Sequence, residues 1–117
     1  MEQTLKEQRF EELLREAIDE GLSTLGESAK QATYYYLNKG FGLSKQEIPH
    51  RVGDFAAAVE KFFGLGASFL ETLILKQLYE KVGATFKADS SKDLNFVGCV
   101  ASAKQSIIKL EKSETEL

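Results

Sequence analysis

Few side chains in this 117-residue chain are of a type that does chemistry, and their surroundings decide what they are for. His50 is the single histidine and Cys99 the single cysteine. A catalytic imidazole needs a partner that orients it and a nucleophile to serve, and a metal site needs further ligands. Neither constellation surrounds His50, which follows Pro49 and reads as a residue at the entry to a helix. Cys99 lies among apolar residues with no base beside it, the setting of an inert packed thiol. Glu11-Glu12 and Asp19-Glu20 read as a solvated helix face, with Glu11 placed four residues before Arg15. The chain has no His-Glu-x-x-His, no Cys-x-x-Cys and no glycine-rich phosphate loop. No catalytic residue, metal ligand or cofactor is therefore expected, and the chain is not read as an enzyme.

Binding is the remaining chemistry. Tyr34-Tyr35-Tyr36 suggests a platform on which bases stack. Successive helical positions diverge by about 100°, so the three rings cannot share one face. The pattern places Tyr36 with Leu37 on an inner arc and leaves Tyr34 and Tyr35 half exposed, three amphipathic rings covering a small core. A helix-turn-helix can be drawn across Gly64-Leu65-Gly66, but the would-be recognition helix ETLILKQLYEK is too apolar to lie in a groove. Net charge is −3, with eight acids against three bases in residues 1–27 (−5) and ten against twelve in residues 28–117 (+2). That balance carries no electrostatic footprint for nucleic acid.

The elements that position these groups are helices. One domain over 1–117 is expected, with 43% hydrophobic and 28% charged residues in the ordinary globular range. No signal peptide or membrane span is read, so a cytoplasmic protein is expected. The central element is Ala67–Val82, apolar on nearly every side through Leu70, Leu73, Ile74, Leu75, Leu78, Tyr79 and Val82. Around it the sequence predicts helix one to Leu25, with residues 1–9 fraying, and helix two from Ala29 to Asn38, opened by a Ser28-to-Gln31 capping box. Ser44-to-Glu47 opens one short turn, and helix three runs from Arg51 to Phe63. A last helix runs from Lys92 to about Lys112, capped by Ser90 or Ser91, with 113–117 loose. Gly21 lies on the apolar arc of helix one, where a missing side chain admits a neighbouring helix.

The last helix carries two apolar stripes. Leu94, Val97, Ala101 and Ile108 form one; Phe96, Cys99, Val100, Ala103, Ile107 and Leu110 form the other. Docking a terminal helix takes one stripe, and either can face inward. The second predicts a homodimer, with Phe96, Val100, Ala103, Ile107 and Leu110 as the candidate interface.

Two runs carry a likeness, DEGLSTLGESAKQATYYYLNKGFGLSKQEIP and DFAAAVEKFFGLGASFLETLILKQLYEKVG. Gly26-Glu27-Ser28, Tyr34 to Tyr36, Phe41-Gly42-Leu43, Glu47-Ile48-Pro49, Phe63 to Ala67 and Leu78 to Gly83 resemble a small archaeal helical domain, the fifth type of Nitrosopumilus output domain. The likeness covers residues 17–83. It implies an output module in signal transduction and supplies no catalytic residues. His50-Arg51-Val52-Gly53 departs from it, in place of an Asn-Pro-Glu-Glu, which predicts a less firmly started helix three. Standing alone, the chain would receive its signal by binding. The sequence thus predicts an all-α five-helix bundle acting as a non-enzymatic signalling or interaction module, with itself and a further protein as partners. The alternatives are a nucleic-acid-associated regulator, and a carrier of a small hydrophobic ligand resting on the eight phenylalanines.

Overall fold

The computed structural model describes residues 5–84 and 95–115, with side chains of the last helix described through Ile108. Five α-helices follow one another: α1 (Leu5–Ser23), α2 (Glu27–Phe41), α3 (Val52–Phe63), α4 (Ala67–Val82) and α5 (Phe96–Thr115). Single 3₁₀ segments, Lys45–His50 and Gly64–Gly66, join α2 to α3 and α3 to α4. No strand occurs among the described residues, and the all-α bundle is as expected.

The core is built on the seam between α1 and α4. Phe10, Leu14, Ala17, Ile18 and Leu22 recur at helical spacing on α1 and are buried, and so are Leu70, Ile74, Leu78 and Val82 of α4. The helices meet closely because of Gly21. A Cβ built there would lie 2.7 Å from Ile74 Cγ1, and Ile74 itself is fully buried. Helix α3 contributes Phe55, Ala56, Ala58 and Val59, and α5 closes the core with Phe96, Cys99, Val100, Ala103 and Ile107. The Phe55 and Phe96 rings stand 5.9 Å apart between centroids. Helix α4 packs on α1, α3 and α5, yet it is not buried all round. Leu73 is half-buried, and Phe69, Lys76 and Glu80 are exposed. It ends at Gly83, whose φ of 77° lets the Ala84 N–H donate to the Tyr79 carbonyl at 2.9 Å.

Several boundaries differ from the sequence reading, each for a local reason. Residues 5–9 are helical rather than frayed. Lys6 Nζ donates to the Ile107 carbonyl at 3.2 Å, and Lys104 lies 3.7 Å from Glu7, so α5 holds the start of α1. Helix α2 begins at Glu27 and runs to Phe41, and the Ser28 box does not form. Gly26 occupies the N-cap at φ 105°, and Gln31 Nε2 donates to Glu27 Oε2 instead. The second box does form, with the Ser44 N–H donating to Glu47 Oε1 at 3.1 Å.

The start of α3 is firm despite its departure from the expected residues. Arg51 Nε donates to Asp54 at 2.9 Å, while Nη1 and Nη2 donate to the Gly42 and Phe41 carbonyls at the end of α2. One guanidinium thus supplies donors to two helix termini. The Ser90 and Ser91 caps proposed for the last helix lie outside the described residues. At the described start of α5, Asn95 Oδ1 accepts from the Gly98 N–H at 2.8 Å.

Candidate functional site

His50 is exposed at the end of the first 3₁₀ segment, its Nε2 3.3 Å from Glu11 Oε1. Glu11 is buried on α1 and also lies 3.8 Å from Arg15. The chain separation of these partners hides the pairing from a sequence reading. The arrangement ties the 3₁₀ segment to α1. Cys99 is buried, burial pushes its thiol up from the ordinary value, and its carbonyl accepts from the Tyr79 hydroxyl at 2.8 Å. It is placed as a packing residue.

A denser polar cluster centres on Asp19. Its carboxylate accepts from the Tyr34 hydroxyl at 3.1 Å and lies 3.4 Å from Lys30 and 3.3 Å from Lys45, while Lys45 Nζ stands 4.8 Å from the centre of the Tyr34 ring. Partial burial pushes the Asp19 carboxyl up, but the Tyr34 hydroxyl and the two ammoniums together hold it below the usual range. Burial and the Asp19 charge push the Tyr34 phenol well above its ordinary value. An open cleft of about 280 Å³ beside the cluster is lined by Arg15, Glu16, Asp19, Glu20 and Lys45. Its cations already have carboxylate partners. The cluster reads as the clasp of α1 against α2 and the 3₁₀ segment. No phenylalanine lines this cleft, so it gives a hydrophobic-ligand carrier no support. Among the described residues, no group of three or more potential ligands could hold a metal ion, and no described helix is long and apolar enough to cross a membrane.

The candidate dimer stripe on α5 is turned inward. Phe96, Val100, Ala103 and Ile107 are buried by the chain's own helices, and the side chain of Leu110 lies outside the described residues. The opposite stripe holds the exposed positions, Val97 and Ala101, with Ile108 half-buried. Val97 is 39% exposed, and Leu94, the fourth residue of that stripe, lies outside the described residues. Either stripe can face inward on the sequence alone; here the bundle covers the four of the five candidate interface residues whose side chains are described.

The open apolar surface is elsewhere. Tyr36 does not join the inner arc of α2, which consists of Thr33 and Leu37. Tyr34 turns toward α1, and Tyr35 and Tyr36 face out, 59% and 54% exposed. Their rings meet edge to face at 5.8 Å. Tyr36 packs on Phe62 of α3 at 5.4 Å, and Phe62 packs on Phe41 at 5.6 Å. Four aromatic rings thus bridge α2 and the end of α3 at the surface, and just beyond them Leu65 and Phe69 are exposed too. Lys39, one turn after Tyr35 and Tyr36, is exposed, and so is Lys61 beside Phe62. The sequence showed the tyrosine run but not its direction. Phe41 and Phe62 carried no signal linking them to it, since the link is a tertiary contact.

No family model, curated protein or solved structure matches the chain.

Proposed function

We propose that this chain is a non-enzymatic interaction module whose binding surface is the aromatic face built by α2 and the end of α3. One observation carries the reading. Tyr35 and Tyr36 are more than half exposed while held in a ring cluster with Phe62 and Phe41. Single exposed hydrophobes are ordinary, but a contiguous exposed patch marks a place where something docks. Tyrosine suits that role because it brings large contact area at low conformational cost. Cross-packing fixes the rings before a partner arrives, which reduces the ordering cost of binding. A role in signalling is what the resemblance to an archaeal output domain implies, and a module that works by contact needs no catalytic group.

The test is selection of peptides from a random display library on the wild-type protein, followed by rescreening on Tyr35→Ser/Tyr36→Ser. The account expects ligands that bind the wild type and lose the variant, with the variant's helical circular dichroism retained. A library that yields no ligand, or ligands that bind both proteins equally, contradicts it.

A further inference from the structure

The charges around the aromatic face specify what docks there. Several basic groups of the bundle are matched by acids of the same chain. Lys30 and Lys45 share Asp19, Lys81 lies 3.5 Å from Glu16 and 3.0 Å from Glu20, and Arg51 pairs with Asp54. Lys39 and Lys61 pair with no acid among the described residues. No Asp or Glu occurs anywhere from Ser28 to Gln46, so the outer surface of α2 beyond its first turn carries no negative charge. Helical spacing puts Lys39 on the same side as Tyr35 and Tyr36, four and three residues on. An apolar patch whose α2 side carries an unmatched ammonium and no acid, with the unmatched Lys61 next to Phe62 in the chain, is complementary to an anionic occupant with apolar anchors.

We infer that the occupant of this face is an acidic peptide segment with aromatic or large aliphatic anchors. The anchors sit against Tyr35, Tyr36 and Phe62, and the carboxylates meet Lys39 and Lys61. This deepens the interaction reading above and rests on it. Single-stranded nucleic acid shares the anionic character but not the shape. Stacking uses ring faces open along a strand. Here Tyr35 meets Tyr36 at 74° and Phe41 meets Phe62 at 80°, so rings are spent edge to face on one another. A formal charge of −3 also opposes a polyanion approaching through long-range forces, while a short acidic segment feels the local lysines. A second copy joined face to face about a two-fold axis would place the unmatched lysines of both copies in one interface with no added acid on the α2 side, which disfavours it.

The test reads the composition and behaviour of peptides selected on the wild-type protein. Ligands that need Tyr35 and Tyr36 are expected to be enriched in Asp and Glu together with Phe, Trp or Leu. In fluorescence anisotropy, the tightest such peptide should weaken about 10-fold or more on Lys39→Glu/Lys61→Glu. Its affinity should also fall as salt rises from about 50 to 500 mM, because exposed charge pairs are screened. Amide-for-acid replacement in the peptide should weaken binding to the same degree. Face-dependent ligands without acidic enrichment, or indifference to both lysine reversals, overturn the inference and leave the interaction module standing. Loss of all face-dependent ligands removes both. Tighter binding of a labelled oligo-dT than of any selected peptide overturns it in favour of nucleic acid. Sedimentation of the free protein as a dimer that Tyr35→Ser/Tyr36→Ser dissociates overturns it in favour of a second copy.

Discussion

The α1–α4 seam and the outer edge of α2 and α3 are built from similar materials and end in opposite states. Both combine large apolar side chains with bordering lysines. At the seam, Leu14, Ile18, Ile74 and Leu78 are fully buried, and Lys81 bridges from α4 to Glu16 and Glu20 of α1. At the edge, Tyr35 and Tyr36 are open and Lys39 and Lys61 have no carboxylate partner among the described residues. The contrast separates side chains that hold the bundle from side chains left for contact. Burial energy comes from apolar area removed from water, so the seam should dominate stability and the edge should contribute little of it.

Breaking the seam should have the largest effects. Val100→Asp places a carboxylate in the inward stripe of α5 with no cation provided, and should destabilise the fold by about 3–5 kcal/mol or prevent it altogether. Chemical denaturation, or absence of helical signal, reads this directly. A folded variant of unchanged midpoint would mean that the stripe is exposed. Ile74→Ala should cost about 2–5 kcal/mol by leaving a cavity against α1. Gly21→Ala should cost about 1–2 kcal/mol, because overpacking of about 1–3 kcal/mol outweighs the better helix propensity of alanine. The two sites touch, so combining them should cost less than the sum, as the new methyl enters space that Ile74 vacates. Strict additivity in that cycle would contradict the close crossing.

A smaller effect concerns Glu71, on α4. Its Oε2 is buried with no hydrogen-bond partner, and burial and then the charge of Glu60 push its carboxyl above the ordinary value. A raised folded value means that the ionised form costs stability at neutral pH. That cost is relieved as pH falls through the folded value toward the ordinary carboxylate range. Glu71→Gln should therefore raise the melting temperature slightly at pH 7, with the advantage shrinking as the solution is acidified. A lower melting temperature at pH 7 would show that the carboxylate is stabilised. The smallest effect belongs to the edge: Tyr35→Ser should change stability by no more than about 0.5 kcal/mol, as expected for a surface substitution.

The sequence disclosed the fold where the pattern was redundant. Seven of the nineteen α1 residues are buried at helical spacing, and the glycine on that arc marked the crossing against α4. It failed where a helix touches the core with little of its surface. Helix α2 buries Thr33 and Leu37, so its apolar arc was too weak to fix which tyrosine faced in. In α5 both stripes were apolar, and the choice between them depends on how Phe96 meets Phe55 across the bundle. The aromatic face was illegible for a related reason: Tyr36 and Phe62 are distant in sequence and become neighbours through the packing of α2 on α3. The Glu11–His50 pair likewise joins residues distant in the chain.

The most direct measurement is a titration of the isotope-labelled protein with a selected peptide, followed through its amide resonances. Shifts should concentrate at Tyr35, Tyr36, Lys39, Lys61 and Phe62, with α5 and the outer face of α1 unmoved. Shifts centred on Val97 and Ala101 of α5, or on Glu16 and Glu20 of α1, would contradict it.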